Sequence, residues 1–456
     1  MKNKAGLIIV CCLLFSSCSL YQKYEAKETV PANIMGDVRQ TGDTLSLGAD
    51  TLSLGAIGWR QMFTDPLLQA LIEKALQNNA DMQQALLTVQ QAQNDLQSAR
   101  LGWLPVFLFE PTGSLSRFNG ATTRSYEIPL TYNWQAGIFG QVTTKQRLAK
   151  ARRQQVDDYR QAVQTALCSN VASTYYRLVM LDRTLQILQE TQTVWEESLE
   201  AMRVLYEAGL YMSPAVHQME ASLATVKSGI VEVQETIATT EATLCLLLSE
   251  PPHAIERSPH GTFAMPSQLQ VGVPLRLLSA RPDVRQAARD MEIAYYETLQ
   301  TRQAFYPDIV LSGSVGWSNG EGLVNPAQFL SKAVASMTQP VFQQGKLRAK
   351  HKNAKINQEK ARLQFVQTLL TAGNEVYQQM RICHKTEQKA VYLTTTVNAL
   401  HEAYVGTSEL MKNGTNTFVE VLKAQEDLLT AQITEVENHY EGIQAFINLY
   451  TALGGF

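Results

Sequence analysis

Side chains that could perform catalysis or bind a metal ion are scattered along this chain. A metal site needs histidine, cysteine or carboxylate ligands at defined spacing, and acyl transfer needs an activated nucleophile. Gly313-Ser314-Val315-Gly316 lacks the spacing of a nucleophile elbow and lies in a strand-like stretch. No histidine forms a metal-binding pair beside an acid at helical spacing; the seven are His217, His253, His260, His351, His384, His401 and His439. The sequence therefore predicts no catalytic residue, no metal site and no cofactor.

The N-terminus contains the one cysteine with a predicted chemical role. Lys2 and Lys4 precede an apolar run that ends at Phe15, which is the order of a secretory signal and too short a run to span a bilayer. Leu14-Phe15-Ser16-Ser17-Cys18 resembles a bacterial lipoprotein signal. This resemblance predicts removal of residues 1–17 and lipidation of Cys18. Phe15 is bulkier than the residue usual in that pattern, and an ordinary secretory signal is the alternative.

The remaining cysteines, Cys168, Cys245 and Cys383, lie in helical patterns at unrelated spacings and form no CxxC motif. We interpret them as small buried apolar groups. In an exported chain a disulfide between two of them is the alternative, and the sequence does not decide whether they stay reduced.

Composition excludes an obvious nucleic-acid partner. Charged residues make up 18% of the chain and the formal net charge is −3, so no basic face is indicated. Residues 18–58 contain scattered polar, Gly and Pro residues and a tandem copy of the segment Asp43-Thr44-Leu45-Ser46-Leu47-Gly48-Ala49. This composition predicts an extended, lipidated tether with little core of its own.

The chain contains an internal duplication. Asp81 and Pro105 stand in surroundings that match those of Asp283 and Pro307, at an offset of 202 residues in both cases. Further along, Phe139 matches Phe342 and Gly209 matches Gly414. We predict a first repeat over residues 59–250, a linker over 251–280 and a second repeat over 281–456. Each repeat has the order helix, proline, two strands, very long helix, glycine turn and long helix.

Very long helices dominate each repeat. Residues 141–208 contain no Gly or Pro, and their apolar positions alternate by four and three residues, as in a coiled coil. At about 1.5 Å per residue this helix would be roughly 100 Å long. Residues 345–405 are its counterpart in the second repeat. Helices of this length indicate an elongated body rather than a compact globule.

Two short segments between the helices have the alternation of strands. Residues 126–138 and 309–318 alternate apolar with polar or small side chains, whereas the predicted partner strands near 106–118 and 327–338 alternate poorly. A membrane barrel wall requires an apolar outside and a polar inside. A soluble sheet with one face on a core fits the alternation equally well. Four strands cannot close around a pore, so a barrel would need several chains.

Four segments of the sequence resemble the TolC family of outer-membrane efflux proteins. They are Trp59-Arg60-Gln61-Met62-Phe63-Thr64-Asp65-Pro66, Leu104-Pro105, Gly272-Val273-Pro274-Leu275-Arg276-Leu277-Leu278-Ser279-Ala280-Arg281-Pro282-Asp283-Val284, and Phe305-Tyr306-Pro307. The Arg-Pro-Asp stretch is most similar to the lipoprotein branch that serves resistance-nodulation-division pumps. The resemblance extends from Cys18 to the C-terminus.

The resemblance implies an α+β membrane protein that forms a homotrimer. Four strands per chain would build a twelve-stranded barrel in the outer membrane of a Gram-negative bacterium, continued by a long α-helical tunnel into the periplasm. It also implies two protein partners, a periplasmic adaptor and a proton-driven inner-membrane pump of the resistance-nodulation-division class, together with contact to outer-membrane lipid.

Family members close the tunnel at its periplasmic tip, where two helix pairs turn, and the resemblance assigns these turns to Gly209 and Gly414. Glu420 falls where the family has an inward acidic residue. Three further positions depart from the family pattern: Lys423 replaces a second acid, Asn416 an arginine latch and Met411 a latch tyrosine. We therefore expect other contacts to hold this tip. The alternative for Glu420 is a solvated acid in the first turn of a helix, where a negative charge is favourable.

Two other classes of protein remain as alternatives. A periplasmic adaptor lipoprotein also has a long helical hairpin, but usually only one. A lipid-anchored hydrolase would need a convergent site, which the sequence does not indicate. Among channels, drugs, metal ions and an exported protein are alternative cargoes, and the resemblance favours small amphipathic compounds.

Overall fold

The computed structural model describes residues 21–25, 58–209, 212–258, 281–319, 328–412 and 418–455. Its elements follow the order predicted from the sequence. The helices are α1 (Trp59–Met62), α2 (Pro66–Asn78), α3 (Ala80–Leu101), α4 (Gln141–Glu207), α5 (Ser213–Leu247), α6 (Pro282–Gln303), α7 (Lys346–Lys412) and α8 (Phe418–Ala452). The strands are β1 (Val106–Phe109), β2 (Thr112–Phe118), β3 (Ala121–Gln135), β4 (Asp308–Ser318) and β5 (Gln328–Thr338).

Equal helix lengths in the two halves confirm the duplicated unit. Helices α3 and α6 each have 22 residues, α4 and α7 each have 67, and α5 and α8 each have 35. The offset is 202 residues for the first pair and 205 for the other two, in agreement with the glycine and proline matches in the sequence. The boundaries predicted for the tether, the linker and the repeats stay predictions, because most of residues 18–58 and 259–280 lie outside the described residues.

The chain divides into two compact units, and each takes residues from both repeats. The sheet unit comprises Met1–Val30, Leu87–Tyr159 and Arg285–Thr368, and the helical unit comprises Pro31–Leu86, Arg160–Val284 and Leu369–Phe456, within the ranges described above. Two apolar clusters form the core of the helical unit. One surrounds the buried side chains Phe63, Tyr175 and Ile447, and the other surrounds Trp195 and Met219.

The sheet unit contains one antiparallel sheet in which the strand order is β1, β3, β4, β5, with β2 also paired to β3. Strands β1 and β2 keep a single register along β3, from Val106 opposite Asn133 to Phe118 opposite Ala121. In the gap between them, the amide of Glu110 donates to the carbonyl of Pro129 over 3.4 Å. The two segments therefore occupy one strand position, interrupted at Pro111, and the four predicted positions are confirmed.

The strand bounds differ slightly from those predicted. Strand β3 begins five residues before Tyr126 and ends at Gln135 rather than Ile138. At the end of the sheet where β3 and β5 finish, the chain continues into α4 and α7. At the opposite end, Asn119 and Gly120 form the β2–β3 turn with φ angles of 47° and 81°. Among the described residues, no helix combines enough length and hydropathy to cross a membrane.

Candidate functional site

One face of the sheet is lined by large apolar side chains. The pairing register brings alternate residues of all four strand positions onto this face, because opposite residues in an antiparallel pair point the same way. Its apolar members are Phe107, Phe109, Leu115, Ile128, Leu130, Tyr132, Trp134, Ile309, Leu311, Val315, Trp317, Phe329 and Met337. Phe109, Leu115 and Phe329 are each about two-thirds exposed in the single chain (65%, 70% and 66%). This face requires an apolar environment outside the chain.

The opposite face is mostly polar. It includes Thr112, Ser114, Ser125, Glu127, Thr131, Asn133, Gln135, Asp308, Ser312, Ser314, Lys332 and Ser336. Gln135 donates to Asp308 over 2.7 Å, and the hydroxyls of Ser114 and Ser125 lie 2.7 Å apart. A sheet that is apolar on one face and polar on the other fits a wall between lipid and water.

Gly209 occupies a helix-terminating turn, as the sequence predicted. Its φ is +74°, a conformation that glycine adopts at helix C-termini without the steric cost of a β-carbon. The Gly209 amide donates to the carbonyl of Tyr206 over 2.9 Å, and α5 begins four residues later. The equivalent Gly414, and Asn416 beside it, lie outside the described residues.

An apolar cluster packs the helix pair α4–α5 against the helix pair α7–α8 near the ends of these helices. From α8, the buried Phe418 and Leu422 pack with Trp195 of α4 and Met219 of α5. Met411 near the end of α7 packs against this cluster and is partly buried. The Met411 side chain therefore joins the end of α7 to the other three helices by apolar packing.

Glu420 and Lys423 lie on one exposed face of α8, at a spacing of three residues. The Lys423 ammonium lies 2.7 Å from Asp427 one turn further on, and the hydrogen bond to that carboxylate raises the pKa of Lys423. The Lys423 charge is thus paired with an acid four residues away. Asp427 was missed in the sequence analysis, although the Lys-to-Asp spacing of four residues was the available signal.

Further ion pairs near the helix ends also escaped the sequence analysis. Arg203 of α4 lies 2.8 Å from Glu220 of α5, and the Nδ1 of His217 lies 3.1 Å from the same carboxylate. The hydrogen bond from Arg203, followed by that from His217, lowers the pKa of Glu220. Ser222 of α5 donates to Glu426 of α8 over 3.1 Å. The Arg203–Glu220 and Ser222–Glu426 contacts join different helices, so local spacing could not reveal them, whereas His217 and Glu220 are three residues apart on one helix.

Cys168, Cys245 and Cys383 are buried, as the sequence indicated, and the structure contains them as free thiols. Burial raises the pKa of Cys168 to about 12 and that of Cys383 to about 11. In the part of the chain that the structure describes, no group of three or more His, Cys, Asp and Glu side chains could hold a metal ion. Cys18 lies outside the described residues.

Comparison with known proteins agrees with this architecture. A family profile described as Outer membrane efflux protein matches residues 71–250 and 273–455. The chain is 25% identical to the cation efflux system protein CusC of Escherichia coli O6:H1, over 97% of this chain and 96% of that protein. It is also 25% identical to the antibiotic efflux pump outer membrane protein ArpC of Pseudomonas putida, over 98% and 94% of the two chains.

A solved structure has the same fold. The open state of the MtrE outer membrane channel of Neisseria gonorrhoeae aligns with a TM-score of 0.84 at 22% identity, covering 95% of this chain and 97% of that one. The four strand positions and the long helix pairs described above therefore belong to a known channel architecture.

Proposed function

Because the chain belongs to the outer membrane efflux protein family, we propose that it is the exit duct of a tripartite efflux system. It is an outer-membrane efflux channel, and its cargo would be small amphipathic compounds such as drugs. The observation that carries this proposal is the sheet with one apolar and one polar face, which fits lipid outside and water inside. Conduction would be passive, with no catalytic role for any residue and the energy supplied by a partner.

The channel would be a homotrimer. Among the residues that the structure describes, the sheet has four strand positions and both of its edges are unpaired, and unpaired strand edges are not tolerated within a bilayer. Three copies would supply twelve strands and close the barrel. The further partners proposed are a periplasmic adaptor and an inner-membrane resistance-nodulation-division pump, which would deliver the cargo. A periplasmic adaptor role for this chain fits the structure less well than a channel role, because a periplasmic protein would expose the apolar sheet face to water.

The channel function predicts a loss of resistance on deletion. In a strain that lacks other outer-membrane efflux channels, removing the gene should lower the tolerated concentration of amphipathic drugs, dyes and bile salts several-fold, and a plasmid copy should restore it. Copper and silver salts in the same panel separate the cargo classes. A change confined to the metal salts would disprove the amphipathic cargo, and no change with any compound would disprove efflux.

Cys18 is proposed as the site of a lipid anchor, on the basis of the signal that precedes it. Cells grown with labelled palmitate should incorporate label into the parent chain and none into Cys18→Ala. Cys168→Ala, which removes a buried thiol, should incorporate as much label as the parent. Label in the Cys18→Ala protein would disprove the anchor.

The periplasmic gate is proposed at the α4–α5 and α7–α8 turns, with Gly209 and Gly414 as the turn residues. Met411 would stabilise the closed state of the gate through apolar packing, and the Glu420 carboxylate would attract passing cations. Lys423 would be neutralised by Asp427, and Asn416 would replace the charged latch of other members. In a trimer, three Glu420 carboxylates would surround one axis and attract cations.

Glu420→Gln tests the role of this acid. A carboxylate attracts a cation about 4 Å away by about 1 kcal/mol in water, which corresponds to roughly a fivefold enrichment. We therefore expect the cation-to-anion permeability ratio of the channel in planar bilayers to fall several-fold. The exposed acid Glu437 on the same helix provides the matched control, and Glu437→Gln should leave the ratio unchanged. An unchanged ratio in Glu420→Gln would rule out the proposed role.

A further inference from the structure

The apolar face of the sheet carries charge at one end only. Its positions are the odd-numbered residues of β1, β2, β4 and β5 and the even-numbered residues of β3, because opposite residues in an antiparallel pair point the same way. Among these positions in the described strands, Arg117 and Arg124 are the only charged residues. Both are exposed, and no carboxylate of the described strands shares the face with them. The charge on this face is therefore entirely positive.

The two arginines are neighbours close to the β2–β3 turn. Arg117 lies opposite Thr122 and Arg124 lies opposite Leu115, so the arginines occupy diagonal positions on the two strands. Diagonal positions in an antiparallel pair are about 7–8 Å apart, which is within reach of two long side chains that bind one ligand. A guanidinium group binds phosphate through two parallel hydrogen bonds. The pair is therefore suited to the phosphate groups of a single molecule.

The arginines lie just beyond the apolar part of the face. Along β4 this part runs from Ile309 to Trp317, about 26 Å of strand at roughly 3.3 Å per residue. At a tilt of about 40° it covers roughly 20 Å of the apolar band of an outer-membrane barrel, which is about 25 Å tall. Trp317 packs edge-on against Phe329 with ring centroids 6.0 Å apart, and aromatic residues are typical of the border of that band. Trp317 lies opposite Ile128, so Arg124 is about 13 Å further along the strand.

The headgroups at this level on the outer side of the membrane are anionic. The β2–β3 turn is at the end of the sheet opposite to the entry into α4 and α7, so it faces the cell exterior in the channel proposed above. The outer leaflet of that membrane consists of lipopolysaccharide, whose lipid part carries phosphate groups. An arginine on the lipid side of a barrel is costly in the middle of the bilayer and tolerated near its surface. There, an anionic headgroup attracts it.

We propose that Arg117 and Arg124 bind the phosphate groups of lipopolysaccharide in the outer leaflet. This proposal rests on the proposed channel and adds a lipid partner to it. Bound lipid would fix the depth of the sheet in the membrane, because the arginines hold the headgroup while the apolar band lies in hydrocarbon. A trimer would carry three such sites around the barrel.

Binding of lipid A, the phosphorylated lipid part of lipopolysaccharide, to the detergent-solubilised channel tests the proposal. Native mass spectrometry compares it with dephosphorylated lipid A, in buffer that contains EDTA so that divalent cations do not bridge the phosphates. We expect the parent to prefer the phosphorylated lipid. Each arginine should contribute about fivefold to the affinity, so Arg117→Gln with Arg124→Gln should bind lipid A roughly 25-fold more weakly and lose the preference. If this double variant does not fold, each single variant should show the fivefold loss.

Lys332→Gln is the matched control. Lys332 lies opposite Ser314 on the polar face, so its substitution removes one positive charge from the same sheet without changing the lipid side. This variant should bind lipid A as the parent does. Arg117→Lys with Arg124→Lys keeps the charge but loses the paired hydrogen bonds, and its affinity should fall between those of the parent and the double glutamine variant.

The outcomes separate the lipid site from the channel. Equal affinity of the parent for the two lipids, a preference that persists in the double glutamine variant, or tighter binding of phosphatidylglycerol than of lipid A would overturn the lipid site. None of these results affects the channel proposal if the parent forms oligomers and restores drug resistance. A parent that is monomeric and confers no resistance would overturn both.

Discussion

Replacing Gly316 with alanine is expected to prevent assembly of the channel and to abolish the resistance that it confers. Gly316 in β4 lies opposite Pro129 of β3. A β-carbon built on Gly316 would lie 2.1 Å from the carbonyl oxygen of Ile128 and 2.8 Å from the Cα of Pro129. Both neighbours are backbone atoms of the paired strand, so no side chain can move to make room. The substitution must separate β3 from β4 at the centre of the sheet.

We expect Gly316→Ala to lower the free energy of unfolding by about 3 kcal/mol or more, which is the upper end of the range for over-packed side chains. Because each chain contributes its whole sheet to one barrel, the separation of β3 from β4 would occur in every copy of the variant and would disrupt the barrel at each of them. We expect the heat-resistant oligomer on gels to fall by at least an order of magnitude, and drug susceptibility to match that of the deletion strain.

Gly113→Ala is the matched control for this prediction. Gly113 lies in the same sheet opposite Tyr126, and its added β-carbon would lie 4.0 Å from the Ser125 carbonyl oxygen, an ordinary contact distance. The Gly113→Ala protein should therefore assemble and restore resistance. Normal oligomer from Gly316→Ala would show that β3 and β4 are not paired in this register.

Tyr175→Ala is expected to lower the free energy of unfolding by about 3–5 kcal/mol, the range for deleting a buried aromatic ring. Tyr175 is fully buried in the helical unit, and its hydroxyl donates to Asp65 over 2.7 Å. The amide of Ser258 donates back to the same hydroxyl over 3.1 Å. Asp65 is also the N-cap of α2, where it accepts the Leu67 amide over 2.9 Å. One side chain thus joins α4, the start of α2 and the segment after α5.

Tyr175→Phe separates packing from hydrogen bonding. It keeps the ring but removes a partner from the Asp65 carboxylate and the Ser258 amide, which should cost about 1–3 kcal/mol. Thermal unfolding of the detergent-solubilised protein, followed by helical circular dichroism, measures both losses. Tyr392→Ala serves as the control, because that ring is 73% exposed on α7, and it should unfold close to the parent. Equal midpoints for Tyr175→Ala and Tyr392→Ala would contradict the buried position of Tyr175.

The buried Tyr175 hydroxyl should also make the stability of the protein depend on pH. Burial raises the pKa of Tyr175 to about 12, above its ordinary value near 10. A group with a raised folded-state pKa contributes full stability below its unfolded pKa and loses that contribution as the pH rises through its folded pKa. The difference between the parent and Tyr175→Phe should therefore be constant at neutral pH and shrink from about pH 10 towards pH 12.

The long helices and the duplication could be predicted from the sequence because their signals are local and repeated. Absence of Gly and Pro over 141–208 predicted α4 to within one residue of its end at Glu207. Matches at Asp81, Pro105 and Gly209 fixed the offsets that the helix lengths later confirmed. These features depend on the residue types of one segment at a time.

Pairing between distant segments could not be predicted in this way. Residues 106–118 alternate poorly alone, and their apolar members form a continuous face only once the register with β3 is known. The Arg281-Pro282-Asp283 motif carried the family resemblance without indicating its role. In the structure, Arg281 binds Asp283 and Glu375 over 2.7 Å each, and it donates to the carbonyl of Ala452 over 2.9 Å. The motif thus links the start of α6 to α7 and to the end of α8.

Ion pairs between different helices could likewise not be predicted from the sequence. Arg257, just after α5, forms an ion pair with Asp182 of α4 and lies 2.5 Å from Glu241 of α5. Asp182 and Arg257 are 75 residues apart, so no spacing rule connects them. By contrast, the pair Lys423 and Asp427 lies within one helical turn and was available to spacing analysis.

The most direct measurement of the central claim, a channel wall in the outer membrane with helices in the periplasm, is the accessibility of two inserted epitopes. One follows Gly120 in the β2–β3 turn, and the other follows Gly209 in the α4–α5 turn. Antibody should label the Gly120 site on intact cells, and the Gly209 site only after the outer membrane is permeabilised. Labelling of both sites only after permeabilisation, in a protein shown to be folded, would contradict the membrane wall and favour a periplasmic adaptor.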